Sequence, residues 1–136
     1  MKKRKKLFFG LCLVNMIFIL GFTVYAVDKK TGSFSSSDGK TVANYCDTVD
    51  WNTITKDVGG GWTEIDADSS DLSRTTFIAV MAYNNSSLVD AVSGKDTTYV
   101  QKILKANADK FVFTHQIFAS NKSTPVATKK TVTIEY

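Results

Sequence analysis

Only one histidine and two cysteines occur among the 136 residues, and each scarcity closes off some chemistry. Cys12 lies inside the apolar run that opens the chain, so removal of that run leaves Cys46 alone. A single thiol makes no internal disulfide and no cysteine-based zinc site. In the order Asn44-Tyr45-Cys46-Asp47 it reads as a small buried apolar residue. Without staples the domain must rest on its core, and about 110 residues suffice, because domains of that size bury roughly two-thirds of their unfolded surface. The single histidine leaves His115 as the one possible imidazole of a Ser-His-Asp arrangement. It falls mid-strand between Thr114 and Gln116, on the face of Phe111, Phe113 and Ile117, and so reads as a half-buried core residue. No G-x-S-x-G nucleophile elbow accompanies it.

What the chain does have begins at its start. Lys2, Lys3, Arg4, Lys5 and Lys6 precede an apolar stretch from Leu7 to Leu20, and Val24-Tyr25-Ala26 completes a small-x-small cleavage signal. Basic, apolar, then small residues in that order predict a secretory signal peptide over residues 1–26, cleaved after Ala26. The alternative is an uncleaved anchor: residues 7–26 are long enough to cross a bilayer as a helix, with the positive end inside. A lipoprotein signal fits poorly, since Cys12 stands in the middle of the apolar run. A prepilin leader cut after Gly10 fits poorly too, since Asn15 stands where a glutamate is needed.

Removing the leader reverses the charge. It carries five of the seventeen Lys and Arg and none of the thirteen acidic residues, so residues 27–136 are near −1 overall. The basic character that would suggest nucleic acid or anionic lipid as partner belongs to the leader. The remaining basic pairs, Lys29-Lys30 and Lys129-Lys130, read as solvated ends.

Residues 27–40 are Ser- and Gly-rich and read as a flexible lead-in. From Thr41 to Tyr136 the pattern is β: Trp62 to Ala67 alternates, Thr75 to Tyr83 is apolar on both faces, and Phe111 to Ala119 and Val126 to Tyr136 read as strands. Gly59-Gly60-Gly61 reads as a wide turn, Leu88 to Val92 as a short strand and residues 93–96 as another turn. Residues 97–108 fit either a helix or a strand, and the surrounding pattern favours the strand. The fold class expected is all-β: one antiparallel β-sandwich or small barrel of six or seven strands over residues 41–136, behind a signal-peptide helix. The last strand runs to the end of the sequence and no LPxTG-type motif is present, so no C-terminal anchor is expected.

Few residues offer binding chemistry. Asp66, Asp68 and Asp71 alternate on a turn and are the candidate metal ligands, for calcium. The loop lacks the glycine that an EF-type site needs at its sixth position, so a solvated turn fits better and no metal or other cofactor is expected. Trp51, Trp62 and Tyr45 are the candidate ligand-stacking aromatics, as on sugar-binding sandwiches, although tryptophan commonly fills a sandwich core. The general build resembles small exported Ser/Thr-rich β-sandwich proteins of Gram-positive bacteria, some of which accompany bacteriocin loci. The function expected is a small secreted, non-catalytic binding or interaction protein of such a bacterium. It would act at the envelope or in the medium on a protein or cell-wall glycan, without nucleic acid, and touch membrane only through its leader. A secreted antibacterial protein is the alternative.

Overall fold

The computed structural model describes residues 27–51 and 55–136, so the signal-peptide reading of residues 1–26 lies outside the described residues. Every regular element described is a strand: β1 (Val27–Ser35), β2 (Val42–Asp50), β3 (Asp57–Ile65), β4 (Thr75–Asn84), β5 (Ser87–Thr97), β6 (Tyr99–Ala106), β7 (Lys110–Phe118) and β8 (Lys130–Glu135). They form two four-stranded sheets, in the orders β1-β2-β3-β6 and β5-β4-β7-β8. All hydrogen-bonded neighbours are antiparallel. The all-β, sandwich-like expectation holds, with eight strands in place of six or seven.

Three local expectations differ from the structure. The lead-in is largely strand: β1 pairs along β2 from Val27↔Asp50 to Ser35↔Val42. Its side chains are mostly exposed. Weak strand propensity is overridden there because the free edge of β2 offers backbone partners along its whole length. The glycine run is no turn but the middle of β3, flanked by β2 and β6. Residues 93–96 continue β5 rather than turning, and Gly94 makes room for the Lys102 side chain, whose Cε would lie 2.3 Å from a Cβ at that position. The reading of residues 97–108 as strand agrees with β6.

The core follows the two-residue period. Tyr45, Val49, Val100 and Leu104 from the first sheet meet Ile78, Val80, Phe111, Phe113, Val132 and Ile134 from the second. Trp51, just after β2, closes one end, with its ring tilted against Phe111 at 5.8 Å between centroids. Gly59 is required here, because a Cβ would sit 2.3 Å from the Phe111 ring. Burying one such large side chain contributes roughly 1.5–3 kcal/mol, so this interface dominates the stability of the domain.

The two long sides of the sandwich are unlike. On one side β5 passes directly into β6 in the other sheet through Thr98, a single residue at φ 61°. On the other side β1 and β8 are both edge strands, belong to different sheets and do not pair. The β4–β5 hairpin turns on Asn85 and Ser86, both at positive φ, which is the two-residue turn whose twist suits a hairpin.

Candidate functional site

Alternation along β2 points Tyr45, Asp47 and Val49 inward, so a carboxylate enters the core. Asp47, Thr63 and His115 each have no exposed surface. The His115 Nε2 lies 2.9 Å from Asp47 Oδ2, and its Nδ1 lies 2.7 Å from Thr63 Oγ1. The Thr63 hydroxyl also lies 3.1 Å from the carbonyl of Phe77, which can accept its proton. The Tyr45 ring stacks on the imidazole, with centroids 4.7 Å apart and an interplanar angle of 24°. Gly61 makes the space: a Cβ there would sit 2.3 Å from Asp47 Oδ1.

The electrostatics follow from enclosure. Burial pushes the Asp47 carboxyl up from its usual range, and the hydrogen bond from His115 opposes that shift without cancelling it. Burial, then the nearby Asp47 charge, raises the Tyr45 phenol. Asp47 Oδ1 has no hydrogen-bond partner, so the carboxylate is only half satisfied. A hydroxyl, an imidazole and a carboxylate in series have the connectivity of a nucleophile, a base and an orienting acid. Here all three members have no exposed surface, and a substrate carbonyl has no open route to Thr63 while the sheets are packed.

The open side of the sandwich holds a second cluster. A groove of about 490 Å³ runs between the edge strands, with Lys29, Lys30 and Thr31 from β1 on one wall. Lys130, Thr131 and Thr133 from β8 form the other wall, and Tyr45 lies beneath. No acidic side chain lines it. Lys30 reaches across the groove and donates to the carbonyl of Thr133 at 2.7 Å. The two basic pairs read as solvated ends thus contribute to one place. Their separation of about a hundred residues hides this from any local pattern; the signal that remains is parity, because Lys30 shares the inward phase of Gly32 and Phe34, and Lys130 that of Val132 and Ile134.

The other sequence candidates sit elsewhere. Trp51 and Tyr45 belong to the central core. Trp51 donates its indole N–H to Asp28 at 2.7 Å. Trp62 lies on the opposite face of the first sheet, packed with Cys46 and Tyr99. All three candidate aromatics are at most 7% exposed, so none is an open stacking platform in this structure. Asp66 and Asp71 spend their carboxylates on neighbouring groups of the protein. Asp66 accepts from the Asp68 amide at 3.0 Å and from Asn44 at 3.2 Å. Asp71 accepts from Ser73 and from Arg74, which also pairs with Asp38 at 2.6 Å. Asp66, Asp68 and Asp71 therefore do not converge on one point, and no cluster of three metal-ligating side chains occurs among the described residues. Cys46 is buried, in keeping with its reading as a small core residue.

No protein-family model matches the chain, and neither a curated protein nor a solved structure is detectably similar to it.

Proposed function

We propose that this chain is a small exported binding module without catalytic activity, acting at the envelope or in the medium of a Gram-positive bacterium. The observation that carries the reading is the groove between β1 and β8: an accessible concavity with basic walls on a domain near −1 overall. Ligand sites favour such concave places with a few convergent polar groups. The sealing of Thr63, His115 and Asp47 supports the non-catalytic part, since a nucleophile must meet its substrate. The leader pattern supports export.

The test is retention. The chain is expressed from its full-length gene in a Gram-positive host and recovered from medium, membrane and wall fractions. The module reading expects a start at Val27 and saturable retention of added protein on washed envelopes. An intact Met1 in the membrane fraction points to an anchored form, and no retention on any fraction refutes the reading. Growth inhibition of related strains by the purified protein would favour the antibacterial alternative.

A further inference from the structure

We propose that the outer face of the second sheet is a dimer interface, covered in solution by the same face of a second copy of this chain. The inference is independent of the β1–β8 groove. On β4 the inward side chains Ile78, Val80 and Ala82 are fully buried in the core. The alternate set, Phe77, Ala79, Met81 and Tyr83, points away from the core and is only half-buried. Val112 on β7 lies opposite Met81 and extends the same apolar surface. Leu88 on β5 lies opposite Tyr83 and is 56% exposed. None of these outward side chains belongs to a hydrophobic cluster of the described residues. A contiguous apolar patch of this kind on an exported domain marks a contact site.

Three features select a second copy as the cover. The first is charge. The middle of the face holds no charged group: Ser93, Ala79 and Thr114 form one row, Ala91, Met81 and Val112 the next, and threonines continue both rows on β8. Charges stand only at the two ends, and they are engaged within the chain. Lys95 donates to the carbonyl of Lys122 at 2.8 Å and lies 3.7 Å from the centre of the Phe118 ring. Lys110 faces Glu135 at 4.0 Å and lies over the Tyr83 ring. Two such faces can close without stranding a charge, and both lysines already have partners, so the face is not built to hold an anionic membrane. The second feature is shape. A sheet face fits another sheet face about 10 Å away, and a second copy supplies one of identical outline. The third is area. Four strands about 4.8 Å apart and about eight residues long present on the order of 500 Å² per copy. A pair buries about 1,000 Å², which reaches the lower bound of a specific interface. Such a contact is isologous, so Met81, near the centre of the face, stands close to its own counterpart across the two-fold axis.

Sedimentation velocity over a series of concentrations tests this on protein purified after expression of the full-length gene. A reversible rise from the mass of one chain to that of two is expected. Met81→Lys sets like charges against each other at the axis and should weaken association at least about tenfold. An equimolar mixture of Met81→Lys and Met81→Glu should recover the dimer. Ile103→Lys, at an exposed apolar position on the other sheet, should leave association unchanged. An unaltered circular-dichroism melt shows that the fold has survived. If Met81→Lys unfolds, Ala91→Lys takes its place, at an exposed position opposite Met81 on the same face. A parent protein that stays monomeric at every concentration overturns the proposal, as does a dimer undiminished in a folded lysine variant or a mixture that fails to recover it. A monomer that co-sediments with phosphatidylglycerol vesicles also overturns it, and gives the face to a membrane. None of these results bears on retention through the β1–β8 groove.

Discussion

Two clusters in this molecule set a carboxyl group against a nitrogen partner under opposite conditions. Asp47 and His115 pair at 2.9 Å with no exposed surface on either. Arg74 pairs with Asp38 at 2.6 Å and with Asp71 at 3.0 Å near the surface, where the side chain of Asp38 is 40% exposed. Hydrogen bonds from Arg74, Ser36 and the Lys40 amide hold the Asp38 carboxyl far below its usual range. For Asp47 the environment acts the other way, since loss of water outweighs its one partner. A short distance therefore says little about the worth of a hydrogen-bonded pair of this kind. Solvent decides whether removing one partner leaves a hydrated ion or a stranded one.

The largest expected effect breaks the buried pair from one side. His115→Leu strands the Asp47 carboxylate among apolar side chains and should cost about 3–5 kcal/mol in urea unfolding. Adding Asp47→Leu removes the stranded charge and should recover much of that loss. If His115→Leu costs no more than Arg74→Gln, the contrast between the clusters fails. Gly61→Ala acts on the same carboxylate through space, with its Cβ 2.3 Å from Asp47 Oδ1, and should cost about 1–3 kcal/mol. Gly60→Ala is its control. The nearest atom there is Ile103 Cγ1 at 3.6 Å, so the melting temperature should hold or rise slightly.

Glu64 supplies an intermediate case. Burial, then the Asp66 charge, pushes its carboxyl up to about 7. A raised folded-state value favours the protonated form, so this contribution is complete below the unfolded value and is lost as pH climbs through about 7. Glu64→Gln should match the parent near pH 4 and exceed it above pH 7, by about 1 kcal/mol once solvent screening is allowed for. Identical pH–stability curves for the two proteins would refute this. The smallest effect is expected from Arg74→Gln: a modest fall in melting temperature that high salt narrows. Because the Asp38 value is depressed, the stability it contributes is present above the ordinary carboxylate range and is lost on acidification below it.

The sequence made some of this molecule readable and concealed the rest for physical reasons. Strands with apolar side chains on a two-residue period, such as β4 and β7, could be recognised directly, and so could the inward face of His115 beside Phe113 and Ile117, although it is fully and not half buried. Gly59-Gly60-Gly61 misled because a glycine run is ambiguous. It permits a turn, and it equally permits a strand where Phe111 and Asp47 must come close. Residues 27–35 misled because edge pairing needs only a backbone, which local composition does not report. The candidate site was the least visible part. Lys30 and Lys130 come to line one groove, and Asp47 finds His115, only through tertiary topology, and a single sequence records the phase of each strand but not which strands face each other.

The buried pair also has a meaning in time. Asp47 and His115 are 68 residues apart in the chain, so Asp47 gains this partner only when β2 and β7 come together. In the native register His115 lies opposite Ile78. A slip of two residues keeps every inward face inward, but it would bring Phe113 or Ile117 to that place and leave the carboxylate facing hydrocarbon. Hydrophobic pattern alone tolerates such a slip. The buried pair does not, because the native register of β7 on β4 is the one in which the Asp47 carboxylate meets His115.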